Sequence, residues 1–359
     1  MTEPVTHANN YTDSSRGVLP SRVLHALNDL QAGIELKAAR VAAGQEPTDD
    51  LERDFKGVLD RNRSAAADRG TTLQARMAAP LRLYRTSSRY RAYAGVDPLK
   101  AGAVDSVDLV ALHRSRVAPL ADSWVHIPTA VDGLADLQGG IVVPQASHTA
   151  LRFYIAKIKC IKETPWDQGS ASDEIYVGAN FIDETGDVTK ASWFQAVPNS
   201  GGPGFDTGEV ADYGFPGKLM QTFGITEAGN KFPKLYTAAV SMVEEDWGNI
   251  ASWFADLHQK VKDKVAEFLK KQGYQVGERI GLGALGSLIG ELFVKVYDWF
   301  VKLLMSWFGN DDLGTFKSMV TINSYTGNWI GSGTPFFTAA QSLTGDGANY
   351  QVTYRWELV

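Results

Sequence analysis

The segment 292–308 constrains the fold of this chain more than any other stretch, because nearly all of its side chains are apolar or aromatic. The polar side chains between Ser287 and Ser306 recur at intervals of three and four residues. At ~100° per residue they fall on one narrow stripe of a helix. Leaving the other side chains in water would cost on the order of tens of kcal/mol. We therefore expect a helix that protein or lipid covers on most of its circumference.

A second helical pattern precedes this one. Apolar residues recur at helical spacing over 250–268, and Gly273 is a typical helix end. The sequence thus predicts an amphipathic helical hairpin over 246–312. Glycines near its far turn allow close helix packing, and large apolar side chains follow them. The residues expected to contact a membrane or a partner are Gly281, Gly286, Gly290, Leu292, Phe293, Trp299, Phe300 and Trp307.

The charged residues of the second helix argue against a simple membrane anchor. Each would cost about 2.5–3.5 kcal/mol near the centre of a lone membrane span. Their stripe is compatible with a hairpin buried against protein, and also with one that meets lipid after a conformational change or in an oligomer with a wet lumen. Both alternatives stay open at the level of sequence.

Residues on both sides of the predicted hairpin alternate with a period of two, as strands do. In 350–358 the apolar positions alternate strictly with polar ones. Short strands with polar turns are typical of antiparallel sheets with one wet face. We predict an α+β fold, in which an antiparallel β-sandwich formed by 150–245 and 313–359 is interrupted by the hairpin. The strand candidates are 156–161, 174–182, 189–197, 235–243, 316–322, 335–343 and 350–358.

The N-terminal part has a different pattern. We expect a disordered polar lead at 1–17, a mainly helical region at 18–95 and a connector at 96–149. Helices are predicted over 19–43, from Asp49 or Asp50 onward, and over 72–93, where Pro80 would start, break or kink the helix.

Residues 61–95 contain eight arginines but only one acid, Asp68, and three interleaved tyrosines. Such a surface can dock an acidic partner, such as anionic lipid, nucleic acid or an acidic protein face. The candidate docking residues are Arg82, Arg85, Arg89 and Arg91. The alternative is a solvated helix face whose arginines pair with the acids of 46–60.

Acidic residues cluster in the predicted strand-connecting loops, where several oxygen ligands could converge on calcium. The candidate ligands are Asp173, Asp183, Asp187 and Asp206. None of these loops has the spacing of an EF-hand, and ordinary polar turns are the alternative. No other cofactor is expected.

Catalytic signatures are weak. Gly281, Gly283 and Gly286 form a G-x-G-x-x-G pattern but lack the preceding strand that a dinucleotide site needs. The chain has no H-E-x-x-H, C-x-x-C or G-x-S-x-G pattern, and its single cysteine, Cys160, alternates into the apolar side of a strand. A net charge of -6 argues against non-specific nucleic-acid binding by the whole molecule, and no specific nucleic-acid partner is expected. The polar lead predicts no signal peptide, hence a cytoplasmic protein or one exported by a non-classical route.

These patterns predict a non-enzymatic membrane- or surface-interacting protein of toxin or effector type, with the hairpin as its contact element. One alternative is a structural or assembly subunit, including a homo-oligomer, that packs through the arginine-rich region and the hairpin. A second alternative is a calcium- or glycan-binding β-sandwich module.

Overall fold

The computed structural model describes part of the chain, and its fold is α+β, as the sequence predicts. The helices of the described part lie mainly in the N-terminal region, and all strand pairs are antiparallel. The described residues are 7–9, 21–65, 67–109, 112, 147–164, 172–183, 188–202, 204–226, 234–244, 259, 263, 296–297, 301, 312–322, 325–326, 329, 334–345 and 347–359.

The N-terminal helices are α1 (Ser21–Ala42), α2 (Asp50–Ala65) and α3 (Ala67–Leu83). Helix α2 begins where the sequence predicts, because the Asp49 carboxylate caps it by accepting a hydrogen bond from the Glu52 backbone N–H at 2.8 Å. Its predicted apolar face is buried, which confirms the helical period read from the sequence. That face consists of Leu51, Phe55, Val58 and Leu59.

The predicted helix over 72–93 is wrong in its second half. The chain turns after Leu83 and continues as a 3₁₀ helix at Ser88–Tyr93. Pro80 lies inside α3 and does not end it. The turn is held from outside the helix, since the Tyr84 hydroxyl donates to the backbone carbonyls of Tyr93 and Val96. The spacing of apolar residues in the sequence does not reveal hydrogen bonds of this kind, so it could not predict the end of α3.

Helix α1 buries three charged side chains: Glu35, Lys37 and Arg40. All three are paired within the helical region, which we define as residues 21–109, and their partners lie at the start of α2, in the segment 88–93 and at Asp105. Since a buried charge without a partner is strongly destabilising, these pairs fix how the helices pack. The partners are Arg89 for Glu35, Asp49 and Asp105 for Lys37, and Glu52 for Arg40.

Within the described residues, ten strands form two sheets. In chain order they are β1 (His7–Asn9), β2 (Ala150–Lys162), β3 (Ile175–Ile182), β4 (Val188–Gln195), β5 (Val210–Asp212), β6 (Lys218–Gly224), β7 (Lys234–Glu244), β8 (Asp312–Ile322), β9 (Phe336–Gly345) and β10 (Ala348–Leu358). The first sheet has the order β1-β8-β7-β3-β4. The second has the order β5-β2-β10-β9, and β6 also pairs with β2.

Residues of both sheets meet in one hydrophobic core. The Phe153 ring of β2 lies 5.4 Å from the Phe181 ring of β3 and 4.8 Å from the Trp356 ring of β10, measured between centroids. In β10 the apolar residues at even positions are buried, while the polar residues between them are at least partly exposed. This alternation, which the sequence predicts, sets which face of the strand packs inward.

Strands β7 and β8 are neighbours in the first sheet although residues 245–311 separate them in sequence. The last residue pair of β7 and β8 is Val243 with Asp312. The segment between the two strands therefore leaves the first sheet at the end of β7 and returns to it at the adjacent start of β8. Most of this segment lies outside the described residues. Of those described, Gln259 and Asp263 are helical, and Val296, Tyr297 and Val301 are helical and buried.

Three strands were missing from the sequence prediction. Strand β1 lies within the lead predicted to be disordered and pairs with β8. Strand β5 has only three residues, and in β6 the buried and exposed residues do not alternate regularly. Both lie beside β2, whose long alternating pattern the sequence does show. Short edge segments of this kind take their conformation from the strand they pair with.

Candidate functional site

One concave surface of the described residues lies in the helical region. It is an open recess of about 1040 Å³, which we call the arginine recess. It is lined by Leu81, 84–88, 90–91 and 94–99. Its walls are the turn after α3, one side of the 3₁₀ helix and the loop that follows that helix.

The walls of the arginine recess are held by hydrogen bonds to the backbone. The Tyr84 hydroxyl, at the base of one wall, donates to the carbonyls of Tyr93 and Val96 in the other. The Ser87 Oγ accepts from the Arg89 backbone N–H at 3.2 Å and so caps the 3₁₀ helix. These contacts fix the shape of the recess before any ligand enters.

The four arginines predicted to dock an acidic partner do not share one role. Arg89 remains partly exposed, but its Nε and Nη2 donate to the buried Glu35 carboxylate at 2.9 and 2.5 Å. These hydrogen bonds raise the pKa of Arg89. The Tyr90 hydroxyl donates to the same carboxylate at 2.9 Å. Arg89 is therefore a structural residue.

Arg85 and Arg91 line the recess, and Arg82 is exposed beside it in α3. Within the described residues, no carboxylate forms an ion pair with any of these three arginines. One acid, Asp97, also lines the recess, and its Oδ1 accepts from the Leu99 backbone N–H at 3.0 Å. The surface thus carries more positive than negative charge and suits an anionic group.

Two other arginines of the segment, Arg61 and Arg63, fit the alternative interpretation of a solvated helix face. Arg63 lies 3.7 Å from Asp60, and the Arg61 Nε donates to the Gly57 carbonyl in the same helix. These residues belong to the solvated face of α2. The segment therefore divides into arginines that stabilise the helices and arginines that face solvent at the recess.

Three of the four predicted calcium ligands lie among the described residues, and they differ in burial. Asp173 is buried, and its carboxylate accepts hydrogen bonds from Thr164 Oγ1 at 2.8 Å and from the Tyr350 hydroxyl at 2.6 Å. Asp206 is exposed in a turn, and Asp187 lies outside the described part of the chain. Asp183 follows β3 and is partly exposed. Among described residues, no group of three His, Cys, Asp or Glu side chains could hold a metal ion.

Cys160 is buried close to the Tyr350 hydroxyl, on the apolar side of β2, as its alternating position predicts. Burial raises the pKa of its thiol to about 11. A buried thiol of this kind is a poor nucleophile at neutral pH, since the thiolate is the reactive form.

The predicted contact residues of the hairpin lie outside the described residues. They are Gly281, Gly286, Gly290, Leu292, Phe293, Trp299, Phe300 and Trp307. In the part of the chain that the structure describes, no helix has the length and apolar character needed to cross a bilayer.

Comparisons with known proteins identify no relative of this chain. No protein-family model matches the chain, and no curated protein or solved structure is detectably similar to it.

Sequence reasoning missed two features of the recess. It placed Arg85 and Arg91 in a basic segment but could not separate them from Arg89, whose partner Glu35 lies 54 residues away. It also treated 96–149 as a connector, although Val96, Asp97 and Leu99 form one wall. The Asp97-Pro98 dipeptide is the one local signal, since such pairs favour turns.

Proposed function

We propose that this chain is a non-enzymatic interaction protein that binds an acidic segment of a partner protein in the arginine recess. The observation that carries the proposal is the pair Arg85 and Arg91, which line one concave surface and have no carboxylate partner among the described residues. Arginine binds carboxylates in a two-point geometry, so two such side chains select an acidic segment over a neutral one.

The composition of the recess favours a peptide over a nucleic acid. Tyr84 and Tyr90 lie side by side, with ring centroids 6.5 Å apart, but both hydroxyls bond to the protein's own groups. Tyr90 is buried and Tyr84 is half-buried, so these rings form part of the wall and expose little of their faces to stacking bases. The hydroxyls of Ser87 and Ser88 and the backbone of 94–99 offer further polar contacts to an extended segment.

A second candidate function is membrane contact through the segment 245–311. It is motivated by the apolar run 292–308 and by the adjacent ends of β7 and β8, which suit a hairpin inserted into a β-sandwich. Val296, Tyr297 and Val301 are buried, so this hairpin would have to leave its protein contacts before it could enter lipid. The arginine recess needs no such rearrangement, which is why we place it first.

Fluorescence anisotropy with labelled hexaglutamate and hexaglutamine peptides tests the proposed function. We expect the wild-type chain to bind hexaglutamate, and to bind it more weakly as salt rises, because the contacts are charge pairs. The double variant R85Q/R91Q should bind about tenfold more weakly, as two exposed ion pairs contribute about 0.2–1 kcal/mol each.

Arg53 provides the matched control. It is an exposed arginine on α2, remote in sequence from the recess, and is paired with Asp50. R53Q should bind hexaglutamate like the wild type. Equal binding of hexaglutamate by the wild type and R85Q/R91Q, or equal binding of both peptides by the wild type, would overturn the proposal.

A further inference from the structure

An exposed aromatic side chain stands on the outer face of the second sheet. Phe215, in the loop between β5 and β6, is 70% exposed, the largest value among the exposed large hydrophobic residues of the described chain. Leu219 at the start of β6 is 50% exposed. Singly exposed apolar residues are ordinary, but a rigid group of them marks an interaction site.

The Phe215 loop is held rigidly. The Arg355 Nη1 donates to the Pro216 carbonyl at 2.6 Å, and its Nε donates to Thr338 Oγ1 at 3.0 Å. Gly217 has a φ of +123°, and a Cβ there would lie 2.7 Å from the Ile155 carbonyl oxygen. A side chain at position 217 would clash with the backbone of β2, so only glycine allows the loop to pack this closely against the sheet.

Phe215 folds over the outer face of the sheet. Its ring lies 4.8 Å from the Arg355 guanidinium carbon and 4.7 Å from the ring of Phe336. Strand pairing places Leu219, Tyr154, Arg355 and Thr338 in one row across β6, β2, β10 and β9. Directly paired residues share a face, so Phe215 and Leu219 lie on the same side of the sheet.

Positive charge surrounds these apolar residues. Two acids of this face are already paired: Glu357 with Arg152 at 3.8 Å and Asp212 with Lys157 at 2.9 Å. Arg355 donates to neutral oxygens, and it lies near enough to Asp212 to help Lys157 lower the pKa of that carboxyl. Within the described residues, no carboxylate forms a direct ion pair with Arg355 or with Lys159 of β2, so these two add to the positive charge of the face. The face therefore has surplus positive charge beside exposed apolar side chains.

We propose that this face binds the surface of an anionic lipid bilayer, with Phe215 and Leu219 inserted at the headgroup level and Arg355 and Lys159 facing anionic headgroups. A bilayer surface offers both of the required environments over a wide flat area, an apolar layer beneath a negatively charged one. The proposal is independent of the recess and does not require the segment 245–311 to move.

Co-sedimentation of the full chain with vesicles tests the proposal. One vesicle type contains phosphatidylcholine alone, and the other contains phosphatidylcholine mixed with phosphatidylserine. We expect binding to the mixed vesicles, weaker at high salt, and little binding to the neutral ones. F215S should lower the partition coefficient about tenfold, because it removes a large apolar side chain from the interface. F215W should retain binding, since tryptophan is favoured at this depth.

Two controls separate this face from other surfaces. Val197 lies in the loop between β4 and β5, and its side chain is 48% exposed. The variant V197S removes this apolar side chain and should bind vesicles like the wild type. R85Q/R91Q tests the arginine recess and should also leave vesicle binding unchanged. Absence of wild-type binding to the mixed vesicles would overturn the proposal. So would unchanged binding by F215S, or a loss with R85Q/R91Q that equals the loss with F215S.

Discussion

Arg89 forms a bidentate ion pair with the carboxylate of Glu35, with its Nε 2.9 Å from Oε2 and its Nη2 2.5 Å from Oε1. This contact joins the 3₁₀ helix to the middle of α1. It divides the arginines of the basic segment into two groups, because it pairs Arg89 with a buried carboxylate and leaves Arg85 and Arg91 without a carboxylate partner among the described residues.

Replacing Arg89 with alanine should therefore destabilise the helical region. Glu35 would be left buried with the Tyr90 hydroxyl as its hydrogen-bond donor, and we expect a loss of about 2–3 kcal/mol in the free energy of unfolding. Urea unfolding followed by circular dichroism at the helical band measures it. The variants R85Q and R91Q should change stability by less than about 0.5 kcal/mol. A loss of equal size in all three variants would contradict the distinction.

Two glycines in helices should respond oppositely to alanine. A Cβ at Gly33 in α1 would lie 2.2 Å from the Tyr93 hydroxyl oxygen, whereas one at Gly57 in α2 meets only Arg61 Nη2 at 3.5 Å. G57A should gain about 0.5–1 kcal/mol from helix propensity. G33A should lose about 1–3 kcal/mol because the added methyl group overpacks the site. Thermal unfolding of the two variants checks the signs, and stabilisation by G33A would show that Tyr93 is not packed against α1.

Alkaline pH should weaken the helical region. Burial raises the pKa of Tyr93 above its ordinary value of 10.0, and its hydroxyl donates to the Asp29 carbonyl at 2.9 Å. The folded state holds the phenol proton more tightly, so this stability is fully present below about pH 10 and is lost as pH rises. Y93F should flatten the fall in unfolding free energy in this range. An identical slope in wild type and Y93F would contradict the burial of Tyr93.

Cys160 should react with thiol reagents only after unfolding. The side chain is buried, and its pKa of about 11 leaves little thiolate at neutral pH. With Ellman's reagent we expect a slow reaction in native buffer and rapid release of one equivalent in denaturant. Rapid reaction of the native chain would mean that β2 and β10 open readily at Tyr350.

The sequence predicted those parts of the fold in which local pattern and final packing agree. The alternation of Tyr350, Val352 and Tyr354 identifies β10, and the spacing of Leu51, Phe55 and Val58 identifies the buried face of α2. It failed where distant contacts decide the outcome. The break after Leu83 depends on hydrogen bonds made by Tyr84 to residues further along the chain.

The candidate site was predicted less completely than the fold. A basic segment can be recognised from composition, but which arginines stay free depends on pairs such as Arg89 with Glu35. The sequence did not indicate that Phe215 is exposed, because an isolated phenylalanine in a Gly-Phe-Pro-Gly segment could equally be a core residue. Its exposure follows from the hydrogen bond of Arg355 to Pro216, which holds the loop on the outer face of the sheet.

Hydrogen–deuterium exchange with and without hexaglutamate tests the proposed recess most directly, since it shows where the peptide lies. We predict slower exchange of backbone amides in 84–99 on addition of peptide, no change in α2, and loss of the effect in R85Q/R91Q. Protection confined to other segments, or protection of 84–99 that persists in R85Q/R91Q, would contradict the assignment of the arginine recess as the binding site.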